Sequence, residues 1–253
     1  MTVEAHAKIN WTLQVLGVRP DGYHDLRSIV LPVRLHDTVT IDEAATVTCS
    51  MPALEVPQEG NLAYRAALAL KDATGCMRGA HIAIEKRIPS GAGLGGGSAD
   101  AAAVLNGLNV LWGLHLPERE LCEIAASVGS DVPALTLGGP VLMEGRGERV
   151  SRIEDPYDDD GSALPGPEDV EVFAPEIFSS TPEVYREFRE EDRGLGPNDL
   201  QPAALRLYPG IADALHRLER DGLARVTMSG SGSAVYGVRG LAQPSGKTAA
   251  AGG

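Results

Sequence analysis

Pro89-Ser90-Gly91-Ala92-Gly93-Leu94-Gly95-Gly96-Gly97-Ser98-Ala99-Asp100-Ala101-Ala102-Ala103 places five glycines between positions 91 and 97, then turns abruptly to alanine. Glycine loses the most backbone entropy on folding, whereas alanine is the best helix former. The glycines therefore need a reason other than stability. His81 to Glu85 reads as a strand leading into the loop, and Ser98 to about Leu111 as a helix leading out of it. Strand, glycine loop and helix N-terminus bring several N–H groups and the positive end of a helix dipole to one spot, which suits a phosphate. Gly91, Gly93 and Gly96 spell G-x-G-x-x-G, but a dinucleotide fold also wants an acidic residue about 20 positions on, at the end of a second strand. Here that region reads LWGLHLPERE, around a helix start. A Walker loop needs a lysine where this chain has Ser98 followed by Ala99 and Asp100. A mobile surface loop is the plain alternative. Small residues carried on into the helix favour phosphate.

Upstream, AHAKINWTLQV (5–15) alternates, with Ala5, Ala7, Ile9, Trp11, Leu13 and Val15 on one face and Lys8 and Asn10 together on the other. That pattern predicts a half-buried strand, closed by a turn at Arg19-Pro20-Asp21-Gly22. Ser28 to Val33 and Thr38 to Ile41 are further strand candidates, and Leu62 to Ala73 a helix. Pro117, the stripe Leu121, Ile124, Ala125 and Val128, and Gly129 define another helix. Ser130-Asp131 opens a short helical segment. Later elements are a helix start at Thr181-Pro182-Glu183, a helix from about Gly210 to Arg220, a strand over Arg225 to Met228, the turn Ser229-Gly230-Ser231-Gly232-Ser233, and a strand through Val238.

The 253 residues suffice for two domains, and 43% hydrophobic with 23% charged residues is an ordinary globular balance. No apolar run approaches the roughly 18 residues of a membrane span. Three cysteines without C-x-x-C spacing, and a charged N-terminus, argue against a disulfide framework, a zinc site of cysteines and secretion; a reducing cytoplasm is expected. A net charge of −13 makes nucleic acid and anionic membranes poor partners. Residues 154–169 carry seven acidic side chains and no Lys or Arg, so −7 lies there and −6 elsewhere. With three prolines and two glycines the segment reads as a solvated loop or linker. Residues 241–253 hold no large apolar side chain beyond Leu241 and read as a disordered tail. The expected organisation is therefore domains over 1–153 and 170–240, the acidic linker 154–169, and the tail.

Lys8 on its own is compatible with a solvated strand face, and Asp131 with a carboxylate that steadies a helix start. Tyr23-His24 could cover a core edge, and the serine-glycine turn could be a flexible hairpin loop. Phosphoryl transfer, however, needs a phosphate cradle, a base and a nearby cation, and these segments supply all three.

In chain order the motifs resemble the GHMP small-molecule kinases. That family has an N-terminal lysine strand, a P-x-x-x-G-L-G-type loop and a C-terminal glycine motif, here MSGSGSAVYG (228–237). AKIN (7–10), GVRPDGYHDLRSI (17–29), GSDVP (129–133), GRGE (145–148) and PNDL (197–200) bring it nearest to members that act on a cytidine diphosphate conjugate. The resemblance implies an α+β, two-domain fold: a ribosomal-protein-S5-like N-terminal domain, then a ferredoxin-like domain whose last helix and strand are missing here. It implies ATP with Mg²⁺, and transfer of phosphate to the 2-hydroxyl of 4-diphosphocytidyl-2-C-methyl-D-erythritol. It implies Asp131 as general base and Lys8 as the cation orienting the hydroxyl. Pro89 to Ala99 would hold ATP, with Ser229, Gly230, Ser231 and Gly232 near the phosphates. Asn10, Tyr23 and His24 would hold the substrate's cytidine and diphosphate, with Tyr185 stacked on the cytosine from the opposite side. A homodimer is compatible with this pattern. Homoserine- or mevalonate-type kinases are the alternatives within the family, and a nucleotide-binding homologue with impaired turnover the alternative outside catalysis.

Overall fold

The computed structural model describes residues 1–52, 58–155, 157–158, 161 and 163–240. The tail read over 241–253 lies outside the described residues. In chain order the elements are β1 (Thr2–Val18), β2 (His24–Ala44), β3 (Thr48–Ser50), α1 (Leu62–Thr74), β4 (Gly79–Glu85), α2 (Gly96–Leu111), α3 (Glu118–Val128) and α4 (Val132–Leu137). They continue with β5 (Val141–Gly145), β6 (Arg149–Arg152), β7 (Val170–Phe173), α5 (Thr181–Glu187), α6 (Gln201–Leu207), α7 (Ile211–Arg220), β8 (Ala224–Met228) and β9 (Val235–Val238). No helix among the described residues is long and apolar enough to cross a membrane.

β2 is the spine of the first sheet. It pairs antiparallel with β1 along almost its whole length, with β5 near its start and with β4 near its end. The two strands read separately at 28–33 and 38–41 are thus one, because successive partners keep the intervening residues extended. The hairpin joining β1 to β2 closes at the turn read from sequence: the Arg19 N–H donates to Tyr23 O at 2.7 Å and that of Gly22 to Arg19 O at 3.0 Å.

The expectation of a half-buried β1 needs correction. Lys8 and Asn10 are 4% and 2% exposed, between Ala7, Ile9 and Trp11, which are fully buried. The register of β1 on β2 slips between His6 and Lys8 and again between Asn10 and Thr12. Such irregularities re-aim side chains, which is why they occur beside functional sites. Loops then cover the polar face, so the period of two survives while the solvent it normally reports is absent.

The alanines of α2 also have a fuller explanation than the sequence suggested. Ala99, Ala101, Ala102, Ala103, Gly107 and Leu108 are all buried, because the helix packs against β1 and β2 on one side and α1, α3 and α4 on the others. A Cβ on Gly107 would lie 2.6 Å from Ile41 Cδ1. Small residues here permit close helix approach, a packing requirement that holds whether or not a phosphate binds.

A second, three-stranded sheet runs β7-β9-β8, with β9 buried between its neighbours. Its helices α5 to α7 enclose a second core that includes Leu13 and Val15 of β1, whereas Ile9 and Trp11 belong to the first. One strand therefore enters both cores. The PNDL segment fastens this junction: the Leu13 N–H donates to Pro197 O at 2.8 Å, that of Asp199 to Leu13 O at 2.9 Å, and that of Val15 to Asp199 Oδ2 at 2.8 Å.

The linker is not wholly solvated either. Asp158 is 8% exposed and accepts the Trp11 indole N–H at 2.8 Å, while the Arg225 guanidinium lies 3.8 Å over the Trp11 ring and 3.6 Å from the same carboxylate oxygen. Asp159 and Asp160 lie outside the described residues. Removing one partner of a buried ion pair strands the other, at a cost of about 3 kcal/mol. Asp158→Ala should therefore shift the urea unfolding midpoint clearly downward. An unchanged midpoint would mean that this part of the linker is solvated after all.

Candidate active site

The glycine loop lies against the rest of the protein with its carbonyls turned inward. Ala92 O accepts from the Ala234 N–H at 3.0 Å, Gly93 O from the Ser229 hydroxyl at 3.0 Å, and Leu94 O from the Lys8 N–H at 3.0 Å. Gly93 has φ +75°, and a Cβ there would sit 2.3 Å from Ser229 O. Only glycine fits. At the loop's end Gly95 adopts φ +70° as the N-cap of α2, with no side-chain cap bond. The first-turn N–H groups of α2 thus have neither intrahelical partners nor a capping side chain, and they carry the positive end of the helix dipole.

Beneath the loop, the Lys8 ammonium donates to Asn10 Oδ1 at 2.6 Å and lies 3.6 Å from Asp131 Oδ2. Asn10 Nδ2 donates to Ser28 Oγ at 2.7 Å, and that hydroxyl to Thr12 O at 2.5 Å, so the Asn10 amide is fixed and its oxygen held toward Lys8. Asp131 begins α4 without capping it; its carboxylate, about one-third exposed, faces the cleft beside Lys8. Its place at the start of α4 is the one the dipole reading expected, and it leaves the carboxylate free of a cap bond and turned to Lys8. Asn198 supports the second glycine motif by donating from Nδ2 to Met228 O and Gly230 O, each at 2.8 Å.

These groups open on one cleft of about 960 Å³, lined by Lys8, Asn10, Tyr23, His24, Asp131, Tyr185, residues 89–98, Gly230 and Ser231. Ala99, Ser229 and Gly232 stand behind this lining: Ala99 and Ser229 are buried, and the added Cβ of Gly232 would meet Met228 at 2.7 Å. Three further cations that sequence reading did not single out, Lys86, Arg146 and Arg186, also line the cleft, and Asp131 is its one lining carboxylate among the described residues. An acidic protein thus presents a basic cleft. The Arg146 guanidinium lies 5.0 Å over the ring of Tyr23, which is 57% exposed. The signal for Arg146 was its place in the GRGE hairpin, where its N–H donates to Glu148 Oε2 at 2.6 Å.

His24 and Tyr185 do not leave a slot between them. Their ring centroids are 4.9 Å apart, whereas a flat base sandwiched between two rings needs about 7 Å, two contact distances. Tyr185 is a half-buried wall of the cleft; desolvation, and then the Asp131 charge, push its phenol pKa upward. Burial moves the His24 pKa down, toward the neutral imidazole. Tyr23 is the ring face left open to a ligand.

Lys86 is largely engaged by the protein itself. Its ammonium bonds Asp37 and, at 2.7 Å, Asp100, while Asp37 Oδ1 accepts the Ile88 N–H at 2.9 Å. This cluster anchors the chain as it leaves β4 for the glycine loop. Burial pushes the Asp100 carboxyl up to about 7, against the pull of Lys86.

Two family models match the chain: the GHMP kinases N terminal domain over residues 61–139 and the GHMP kinases C terminal over residues 180–240. The 4-diphosphocytidyl-2-C-methyl-D-erythritol kinase of Symbiobacterium thermophilum is 41% identical over 263 aligned positions, covering 94% of this chain and 90% of that protein. The chain belongs to the GHMP kinase family. The enzyme of the same name from Gloeobacter violaceus is 40% identical, covering 93% of this chain and 84% of its own. Among solved structures, a 4-(cytidine 5'-diphospho)-2C-methyl-D-erythritol kinase superposes with a TM-score of 0.78 at 35% identity, over 94% of this chain and 90% of the other. A mevalonate kinase superposes at 0.64 with 13% identity, covering 94% and 91%, which shows the shared fold alone. GHMP kinases use ATP, and this GHMP kinase has the two-domain α+β fold expected of it.

Gly93→Ala should force the glycine loop and the 229–232 turn apart. We expect a stability loss of about 1–3 kcal/mol and a rise of about tenfold or more in the KM for ATP. Unaltered steady-state kinetics and melting temperature would show that the close approach at Gly93 is dispensable.

Proposed function

We propose that this GHMP kinase transfers the γ-phosphoryl group of ATP to the 2-hydroxyl of 4-diphosphocytidyl-2-C-methyl-D-erythritol, forming the 2-phosphate and ADP. The observation that carries the reading is the pairing of the Lys8 ammonium with the Asp131 carboxylate at 3.6 Å, within a cleft bounded on one side by the glycine loop and on the other by Tyr23 and His24. The relatives named for this activity span nearly the whole chain and supply independent support.

In this reading the first-turn amides of α2 hold the phosphates of ATP, and the Gly230–Ser231 turn closes over them. Asp131 accepts the proton of the attacking hydroxyl, and the freed oxygen bonds to the γ-phosphorus. The bond from that phosphorus to the bridging oxygen breaks, leaving its electron pair on ADP. Lys8, held by Asn10, orients the hydroxyl and favours its oxyanion. A loose phosphoryl-transfer transition state asks the protein chiefly for such positioning and charge stabilisation. Mg²⁺ takes hard oxygen ligands and keeps several waters. The hydroxyls of Ser90, Ser98, Ser130 and Ser231 and the Asp131 carboxylate are side-chain oxygens in the lining, a set with a single carboxylate among the described residues that fits an ion carried mainly by the nucleotide. When bound it would neutralise phosphate charge.

On the acceptor side, the exposed Tyr23 face backed by Arg146 suits a nucleobase and an adjacent diphosphate better than homoserine or mevalonate, which carry no ring to stack. We assign nucleotide binding chiefly to residues 1–153 and closure of the cleft to residues 170–240, supported by sheets confined to 2–152 and 170–238. The free cysteines Cys49, Cys76 and Cys122 fit a reducing cytoplasm.

The test is ADP release from ATP with the cytidine compound beside homoserine and mevalonate. The reading expects release with the cytidine compound alone, and a drop of about 10²- to 10⁴-fold in kcat for Asp131→Asn with circular dichroism unchanged. Lys8→Ala should lose comparable turnover. Release driven by homoserine or mevalonate would refute the substrate, and full turnover in either variant would remove that residue from the mechanism.

A further inference from the structure

At the beginning of β1 and across from it on β2, Glu4, His6 and His36 form a cluster that phosphoryl transfer does not use. Glu4 and His6 stand two residues apart, on one face of β1, and His36 is the direct cross-strand partner of His6. Each ring is oriented by the main chain: His6 Nδ1 bonds Val33 O and His36 Nδ1 bonds Arg34 O, both at 2.9 Å. A carbonyl oxygen can only accept, so each Nδ1 carries the hydrogen, and each neutral imidazole presents the Nε2 lone pair. Both Nε2 atoms face one carboxylate, His6 Nε2 at 3.3 Å from Glu4 Oε2 and His36 Nε2 at 3.7 Å from Glu4 Oε1.

Two imidazole nitrogens facing one carboxylate are matched either by protons on the rings or by a metal cation among the three groups. An Nδ1–H held by a backbone carbonyl is also the usual way proteins fix the tautomer of a metal-binding histidine. The three donor atoms lie within 4.8 Å of one another. A tetrahedral ion with bonds of about 2.0–2.1 Å spaces its ligands about 3.4 Å apart, so closing the set needs side-chain movement of only about an ångström. Two imidazoles and a carboxylate suit Zn²⁺, whereas Mg²⁺ and Ca²⁺ prefer oxygen alone.

We propose that Glu4, His6 and His36 bind one Zn²⁺ ion, with the fourth position open to water, apart from the phosphoryl-transfer cleft. The side chains of Glu4 and His6 are 61% and 42% exposed, so the ion can enter without opening the fold. Once bound it would staple β1 to β2 immediately before the register slip that separates His6 from Lys8.

Isothermal titration of the full chain with Zn²⁺ in metal-free buffer near neutral pH tests the site. One ion per chain is expected. His36→Ala and Glu4→Ala should each weaken binding about tenfold or more, and the double variant His6→Ala/His36→Ala should abolish it. None of these substitutions should change ADP release. Should a variant lose its folded signal, the imidazole resonances of the unaltered protein decide instead: Zn²⁺ must shift those of His6 and His36 and leave the other four histidines unmoved. Absence of one-to-one binding, or undiminished binding by the folded double variant, would overturn the proposal, the latter placing the ion elsewhere, for instance on the free cysteines.

Discussion

The glycine loop can serve as a phosphate cradle because three successive carbonyls, those of Ala92, Gly93 and Leu94, are bonded to Ala234, Ser229 and Lys8 behind it. A phosphate must meet N–H groups without oxygen atoms among them. Turning the carbonyls away achieves that, and Gly93 is the position at which the turning brings two backbones into contact. The same bonds fix the side chains used for chemistry. Lys8 is placed by β1 where its own N–H holds Leu94 O, and Asn10, two residues on, where its N–H donates to Ser229 Oγ at 3.3 Å. Cradle, cation and second glycine motif form one hydrogen-bonded unit.

β1 makes that unit rigid by entering both cores. Its Leu13 backbone pairs with the Pro197–Asp199 segment, and the Tyr236 hydroxyl donates to Asn10 O at 3.0 Å from the second sheet. Any relative movement of the two sheets must therefore strain the strand that carries Lys8. The Trp11–Asp158–Arg225 stack adds the linker to the same junction. Local electrostatics then act against the overall charge: Lys8, Arg146 and Arg186 line the cleft of a chain with net charge −13, whereas the charge of Lys86 is matched by Asp37 and Asp100.

Much of this was legible in the sequence. The glycine-to-alanine switch at 91–103, the turn at 19–22 and the amphipathic stripe of α3 are local signals, and local physics fixes them. The short strands β3, β5, β6 and β7 and the helix α6 were not singled out, because three to seven residues carry too little periodicity and are held by partners distant in sequence. Burial of Lys8 and Asn10 was invisible because alternation records sidedness and says nothing of what covers the second side. Arg146 and Asp158 acquire their roles only through Tyr23 and Trp11, more than a hundred residues away. Contact between His24 and Tyr185 likewise depends on how α5 meets the hairpin, so their ring separation could not be read from spacing.

The central claim is that main-chain amides at the start of α2 grip the nucleotide's phosphates. ¹⁵N–¹H spectra recorded during titration with a non-hydrolysable ATP analogue, and separately with adenosine, address it directly. The account predicts that the analogue moves the amide signals of Gly95 to Ser98 most strongly, whereas adenosine leaves them nearly in place. Equal shifts with both ligands, or an undisturbed glycine loop at saturating analogue, would contradict it.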